Sequence, residues 1–520
     1  MFEKYEGSVS MGKGKQMSVN LITQLVSFAL NLGISFFLTP YVIEFLGKDV
    51  YGFVSLASNF TSYISAFTVA LNGMLSRYVT IAFSKKDYES AGKYFSSVLI
   101  ANAVIMIVLL PVSVFFVVNL GNFINLADGF ETDIKILFAL VFISFIVNLP
   151  GSCYNSVTYA ANRLDLSNIS NMLGSILRIA VIMMMLLTLK PHVWYVGLGS
   201  LISTIFIIVL NMRYKQKLMP RVKISFKLFE WKSVKELLSV GVWNSINQMT
   251  QLLLTGLDLI IANLFISVTS MNMLSYAKMI PTQMLVLIST VAATFAPAMT
   301  IAYANKSREG FVRETNFAIK LCGLLCSVPT IGLVVFGEDF FGLWLQALST
   351  EEIHLVAVLS ILTILPNIFS VYIYPLYTVN TVTAKLKIPV LVSAVMGIAN
   401  IIIVFILIQT TNLGIYAVAG VSSVLALGRI LIFVPIYAAH SIKVSYVTFY
   451  KPLLRGIISS GVMLLVFILI HKLFVINSWI SFFAVCGIAA VLGYIIVFMI
   501  VFSKHEKNKV ISMIKSKIRR

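Results

Sequence analysis

The sequence predicts an all-α polytopic membrane protein of about 14 transmembrane helices. Two observations of composition carry this, and a third comes from pattern. The chain is 59% hydrophobic and 11% charged, whereas a soluble domain carries about a quarter charged residues. Its mean hydropathy is +0.95. Apolar stretches of roughly 20 residues, each enough to cross about 30 Å of hydrocarbon, recur along the chain. They centre near residues 29, 64, 107, 145, 179, 202, 251, 285, 326, 364, 398, 424, 464 and 490.

Taken in order, residues 1–16 are polar and read as a cytoplasmic N-terminus. The apolar block after them is too long for the core of a signal peptide. Residues 17–212 hold six spans, an expected N-lobe. Residues 213–236 are a basic linker and the longest polar interval between hydrophobic blocks. From Arg213 to Lys235 eight residues are basic and one, Glu230, is acidic. Residues 237–440 hold six more spans, an expected C-lobe, and 441–502 hold the last two. Residues 503–520 are a basic tail with seven Lys/Arg against Glu506, expected as a solvated or membrane-surface helix near anionic headgroups.

Charge sets the orientation. With an even number of spans both termini share a side. That side collects 32 of the 39 Lys and Arg, and the other only Lys48, Lys135, Lys190 and Lys472. Lys/Arg-rich loops resist translocation, so both termini and the linker are expected in the cytoplasm. The net charge of +19 follows from this loop bias, and no nucleic-acid partner is expected. Cys153, Cys322, Cys326 and Cys486 lie in apolar blocks and read as small packing residues.

Thr80-Ile-Ala-Phe-Ser-Lys-Lys86 resembles Thr300-Ile-Ala-Tyr-Ala-Asn-Lys306 at an offset of 220. Each closes an apolar span and precedes a charged turn, then a span holding a proline, Pro111 or Pro329. Spans 1–6 and 7–12 therefore read as two copies of one unit. A six-span unit returns to its starting side, so the copies should be parallel, related by a pseudo-twofold axis along the membrane normal. The last two spans are appended.

The first copy carries Asn20, Leu38-Thr-Pro40, Phe45-Leu-Gly47, Tyr51-Gly52 and Arg77-Tyr78. The second adds Phe341-Gly-Leu-Trp-Leu345. From about Asn20 onward the chain resembles Wzx-type polysaccharide flippases of the multidrug/oligosaccharidyl-lipid/polysaccharide exporter superfamily. That resemblance implies two six-helix bundles around a central cavity. It also implies outward movement of an undecaprenyl-diphosphate-linked glycan across a bacterial inner membrane for surface polysaccharide synthesis. A polysaccharide polymerase and glycosyltransferases would be its partners beside the bilayer.

Charge inside hydrocarbon is costly and usually lines a cavity or finds a partner. Arg178, Lys278 and Arg429 lie within spans, and Arg77 closes the second span on the cytoplasmic side. Together they suit a diphosphate, which Arg grips bidentately and Lys as a point charge. The alternative is that they snorkel to headgroups. Asp258 is the only carboxylate well within a span. It is expected either to bind a coupling cation or proton, aided by Asn263 or Thr255, or to pair with Lys278 or Arg178. Gln24 and Asn31 share a face of the first span. Asn244, Asn247 and Gln251 share one on the seventh. These faces line a cavity or hydrogen-bond between helices.

No DxD, HExxH, P-loop or GxSxG signature occurs, so no enzyme and no cofactor or metal is expected. Two further functions compete. A cation-coupled multidrug exporter of the same superfamily would want a carboxylate in the first span, where only Glu44 stands, at the outer edge. A membrane glycan polymerase or glycosyltransferase would want a large outer loop, and these loops are short.

Overall fold

The computed structural model describes residues 13–48, 50–304, 307–383, 385–503 and 507. Most of the basic tail and the first twelve residues lie outside that set. Every regular element among the described residues is helical. The long helices are α1 (Lys13–Leu46), α2 (Tyr51–Ser84), α3 (Tyr88–Val118), α4 (Glu131–Gly151), α5 (Leu164–Thr188), α6 (Trp194–Leu218) and α7 (Trp231–Gln251). They continue with α8 (Val268–Ala293), α9 (Arg308–Trp344), α10 (Thr350–Val382), α11 (Lys387–Thr410), α12 (Ile415–Gly428), α13 (Tyr450–Leu473) and α14 (Trp479–Val501). Among the described residues thirteen helices are long and apolar enough to cross a membrane. α2 is not among the thirteen, but its 34 residues also exceed membrane length.

Local chemistry marks the ends. Asp87 accepts the Ser90 N–H to start α3, and Ser307 accepts the Gly310 N–H to start α9. Ser349 and Glu352 form a capping box at α10. Each satisfies donors that the first helical turn leaves open. Pro40, Pro111, Pro150, Pro281, Pro329 and Pro366 all sit inside helices. The Pro281 carbonyl accepts the Asn367 amide at 2.9 Å, which ties α8 to α10.

The chain divides into two compact units, Met1–Leu252 and Leu253–Arg520. Within the first, α3 packs on α4, α4 on α6, α6 on α5 and α5 on α1, while α7 lies along α2. Asn102 of α3 joins three helices there, donating to Asn72 at 2.8 Å and to the Leu149 carbonyl at 3.1 Å. Within the second, α9 packs on α10, α10 on α12 and α12 on α11, the same wiring. The 220-residue offset recurs in the element ends: α2 stops at 84 and α3 starts at 88, and the corresponding positions in the second unit are 304 and 308.

The appended pair is welded to the second unit. Tyr372 of α10 lies against Gly323 of α9 and Gly456 of α13. Its hydroxyl is 3.1 Å from Ser460 Oγ. At the other end of α13, His471 sits 2.8 Å from Asp339 of α9.

Candidate functional site

In the first unit the seam between α1 and α5 is polar for half its length. Arg163 clasps Asp165 with Nε and Nη2, both at 2.9 Å. Gln16 Nε2 donates to the same carboxylate at 3.0 Å. Asn20 accepts the Asp165 N–H at 3.1 Å and donates to Asn162. Further along, Asn168 donates to Thr23 at 3.3 Å and Ser175 to Asn31 at 2.7 Å. Beyond that last rung the seam turns apolar and opens into a cavity of about 330 Å³ lined by Leu30, Ile34, Leu38, Ile179 and Met183.

Arg178 lies at this level of α5, within electrostatic reach of Tyr51. The Tyr51 hydroxyl is 3.1 Å from Thr39 Oγ1. Arg178 Nε is buried without a hydrogen-bond partner among the described residues.

In the second unit the decisive feature is a break. Past α7 the chain forms a π turn, Leu252–Gly256, and resumes as a short helix, Asp258–Phe265. A π turn carries one residue more than the α-helix and leaves a carbonyl without its helical donor. Asn400 of α11 donates to the Leu254 carbonyl at 3.2 Å. Only glycine permits this approach: a Cβ on Gly397 would lie 2.7 Å from Leu253 Cβ.

Asp258 opens the resumed helix and is 1% exposed. Lys278 Nζ of α8 donates to its Oδ2 at 2.7 Å. Its Oδ1 is buried and has no hydrogen-bond partner among the described residues. Arg429 begins a second π turn, Arg429–Phe433, that interrupts α12. It is 9% exposed. Nη1 donates to Ser393 of α11 at 2.7 Å, and the guanidinium lies 5.8 Å from the Tyr377 ring centre. Its Nε is buried without a hydrogen-bond partner among the described residues. Among the described residues neither Arg178 nor Arg429 forms an ion pair.

The sequence-predicted residues are thus distributed. Asp258 and Lys278 come together. Arg178 and Arg429 are each built into their own unit. Arg77, Gln24 and Asn247 are exposed, and Gln251 is half-buried. Asn31 is engaged with Ser175 and with the Ser27 carbonyl. The side chains of Asn244 and Thr255 lie outside the described set. Sequence reasoning missed the cluster of Gln16, Asn20, Asn162, Arg163 and Asp165. Its only signal was a carboxylate beside an arginine in a short polar turn.

This arrangement of helices is a fold that the chain shares, among others, with two solved structures. A lipid II flippase MurJ in an inward closed conformation matches with a TM-score of 0.65 at 18% identity, over 92% of this chain and 97% of that one. An inward-facing multidrug resistance MATE transporter matches with 0.66 at 14% identity, over 82% and 99%. The chain belongs to the polysaccharide biosynthesis protein family, whose model matches residues 17–303. It is also 27% identical over 514 residues to the uncharacterized membrane protein EpsK of Bacillus subtilis (strain 168), covering 95% of this chain and 97% of that one.

Proposed function

We propose that this chain is a flippase for a lipid-linked oligosaccharide, with undecaprenyl diphosphate as the lipid carrier. It moves the glycan from the cytoplasmic to the outer leaflet of a bacterial inner membrane by alternating access, for surface polysaccharide synthesis. Both termini are cytoplasmic in this reading, and a polymerase and glycosyltransferases act on either side of the step.

One observation supports it above the others. The charged side chains within the spans do not cancel among the described residues. Asp258 is neutralised by Lys278, which leaves the guanidinium groups of Arg178 and Arg429 uncompensated among the described residues. Each also keeps a buried N–H without an acceptor among those residues. A buried cation without an acid partner is costly, and an anionic headgroup relieves that cost through bidentate N–H···O contacts. A cationic cargo would increase it, so the two arginines favour an anionic one. The experiment is transport of a fluorescent lipid-diphosphate oligosaccharide in proteoliposomes. Transfer by the parental chain that fails in the double variant Arg178→Ala/Arg429→Ala supports the reading. Equal transfer by both overturns it.

A further inference from the structure

The basic linker is not a free tether. Ser96 Oγ of α3 accepts the Ser225 N–H at 3.2 Å, and Ser97 Oγ accepts the Glu230 N–H at 2.9 Å. Met219 and Val222 are each 1% exposed, packed with the α2–α3 core. The Arg221 guanidinium stands 5.7 Å from the Tyr88 ring centre. Gly92 leaves room for the linker backbone, since a Cβ there would lie 2.7 Å from the Lys223 carbonyl oxygen. The linker is therefore held in one conformation against α3.

Its depth follows from α3. Ser96 and Ser97 immediately precede the 21 uncharged residues 98–118. At 1.5 Å per residue these span about 31 Å, the thickness of the hydrocarbon. The two serines thus stand at the edge of the hydrocarbon and hold residues 225–230 at headgroup level.

What the linker presents there is mixed. Phe226 is 85% exposed, Trp231 56% and Phe229 40%. Lys223, Lys227 and Lys232 are exposed between and beside them. Among the described residues none of these lysines forms an ion pair. Residues 221–232 carry four basic side chains, Arg221, Lys223, Lys227 and Lys232, against one carboxylate, Glu230, which leaves the stretch three positive charges in excess. A soluble surface would not hold three large aromatics this open beside uncompensated charge. Aromatic rings at headgroup depth with lysines around them match an anionic lipid surface instead.

We propose that residues 221–232 form a fixed docking surface for anionic lipid headgroups of the cytoplasmic leaflet. Phe226 and Trp231 enter the acyl-chain boundary, and Lys223, Lys227 and Lys232 hold the headgroups. This rests on the cytoplasmic placement of the linker and not on the identity of the transported molecule.

The test uses the full chain in lipid nanodiscs, with a nitroxide attached through Phe226→Cys in a Cys486→Ser background. The other three cysteines are buried. In discs containing phosphatidylglycerol the nitroxide should be relaxed by oxygen and shielded from a water-soluble nickel chelate. In pure phosphatidylcholine that shielding should weaken. The triple variant Lys223→Gln/Lys227→Gln/Lys232→Gln should lose at least about tenfold of the preference for retaining phosphatidylglycerol over phosphatidylcholine. Full nickel access in both lipids overturns the proposal. Equal shielding in both lipids overturns its anionic part. Shielding found only in native membranes and absent from the discs assigns the surface to a cytoplasmic protein, which also overturns it.

Discussion

Lys278 Nζ donates to Asp258 Oδ2 at 2.7 Å, across the turn that joins the resumed seventh span to α8. The carboxylate is almost wholly buried and the ammonium about one-fifth exposed. Removing one partner of a buried pair leaves an unbalanced charge, costing about 3–5 kcal/mol. Asp258→Asn and Lys278→Met should each lower the unfolding temperature. The double variant Asp258→Asn/Lys278→Met should recover much of the loss. A double variant as unstable as the sum of its singles would exclude the coupling.

The same pair bears on energy coupling, which we propose runs through Asp258. Protonation or a bound cation at the orphaned Oδ1 would release Lys278 and bias the return of the empty carrier. Transport in vesicles, with potential, sodium and pH varied separately, should show Asp258→Asn insensitive to one of the three. If that variant transports at the parental rate under every gradient, Asp258 is only a structural partner.

At Arg178 and Arg429 the single Ala variants should abolish export at normal protein levels. The Lys variants should keep part of it, because charge survives while the planar fork does not. Surface polysaccharide measured against membrane-inserted protein reports both. Normal export in all four variants would make the two arginines structural.

Tyr372 should show how firmly α13 is welded to α9 and α10. Tyr372→Phe removes the hydrogen bond to Ser460 and should cost about 1 kcal/mol. Gly456→Ala sets a Cβ 2.6 Å from the ring and should cost about 1–3 kcal/mol through overpacking. Thermal unfolding in detergent reads both, and a larger loss from Phe than from Ala would contradict the packing account.

Orientation is testable by labelling in intact cells. A cysteine at Lys227 should react only with a permeant reagent and one at Gln346 also with an impermeant one. Gln346 is the reporter because neighbouring Leu345 is 1% exposed. The reverse pattern would overturn the proposed topology.

Much of this architecture was legible in the sequence because hydrocarbon imposes it. Spans must be long, apolar and helical, so their number and rough centres could be read from composition alone. The repeat was legible through Thr80–Lys86 and Thr300–Lys306, whose described residues fall at matching helix ends, Ser84 and Ala304. The partner of Asp258 was not: a residue in α5 and one in α8 were equal candidates until packing chose Lys278. Nor were the π turns, since nothing in Leu-Leu-Leu-Thr-Gly at 252–256 or Arg-Ile-Leu-Ile-Phe at 429–433 tells a π turn from an α turn. The cluster around Asp165 was hidden for another reason. Gln16 and Asn20 meet it from more than 140 positions away, and no local pattern encodes that meeting.

The π turn at Leu252–Gly256 has a mechanical meaning. One surplus residue in a helix is a stored rotation of everything after it, roughly 100° by the α-helical repeat. Deleting one residue between 252 and 256 would discharge that rotation into a continuous helix. The carbonyl that the π turn leaves open would then regain its helical donor, and the Asn400 amide of α11 would lose the acceptor it finds at Leu254. Chain length, and not only side-chain identity, therefore decides how α11 is held against the seventh span.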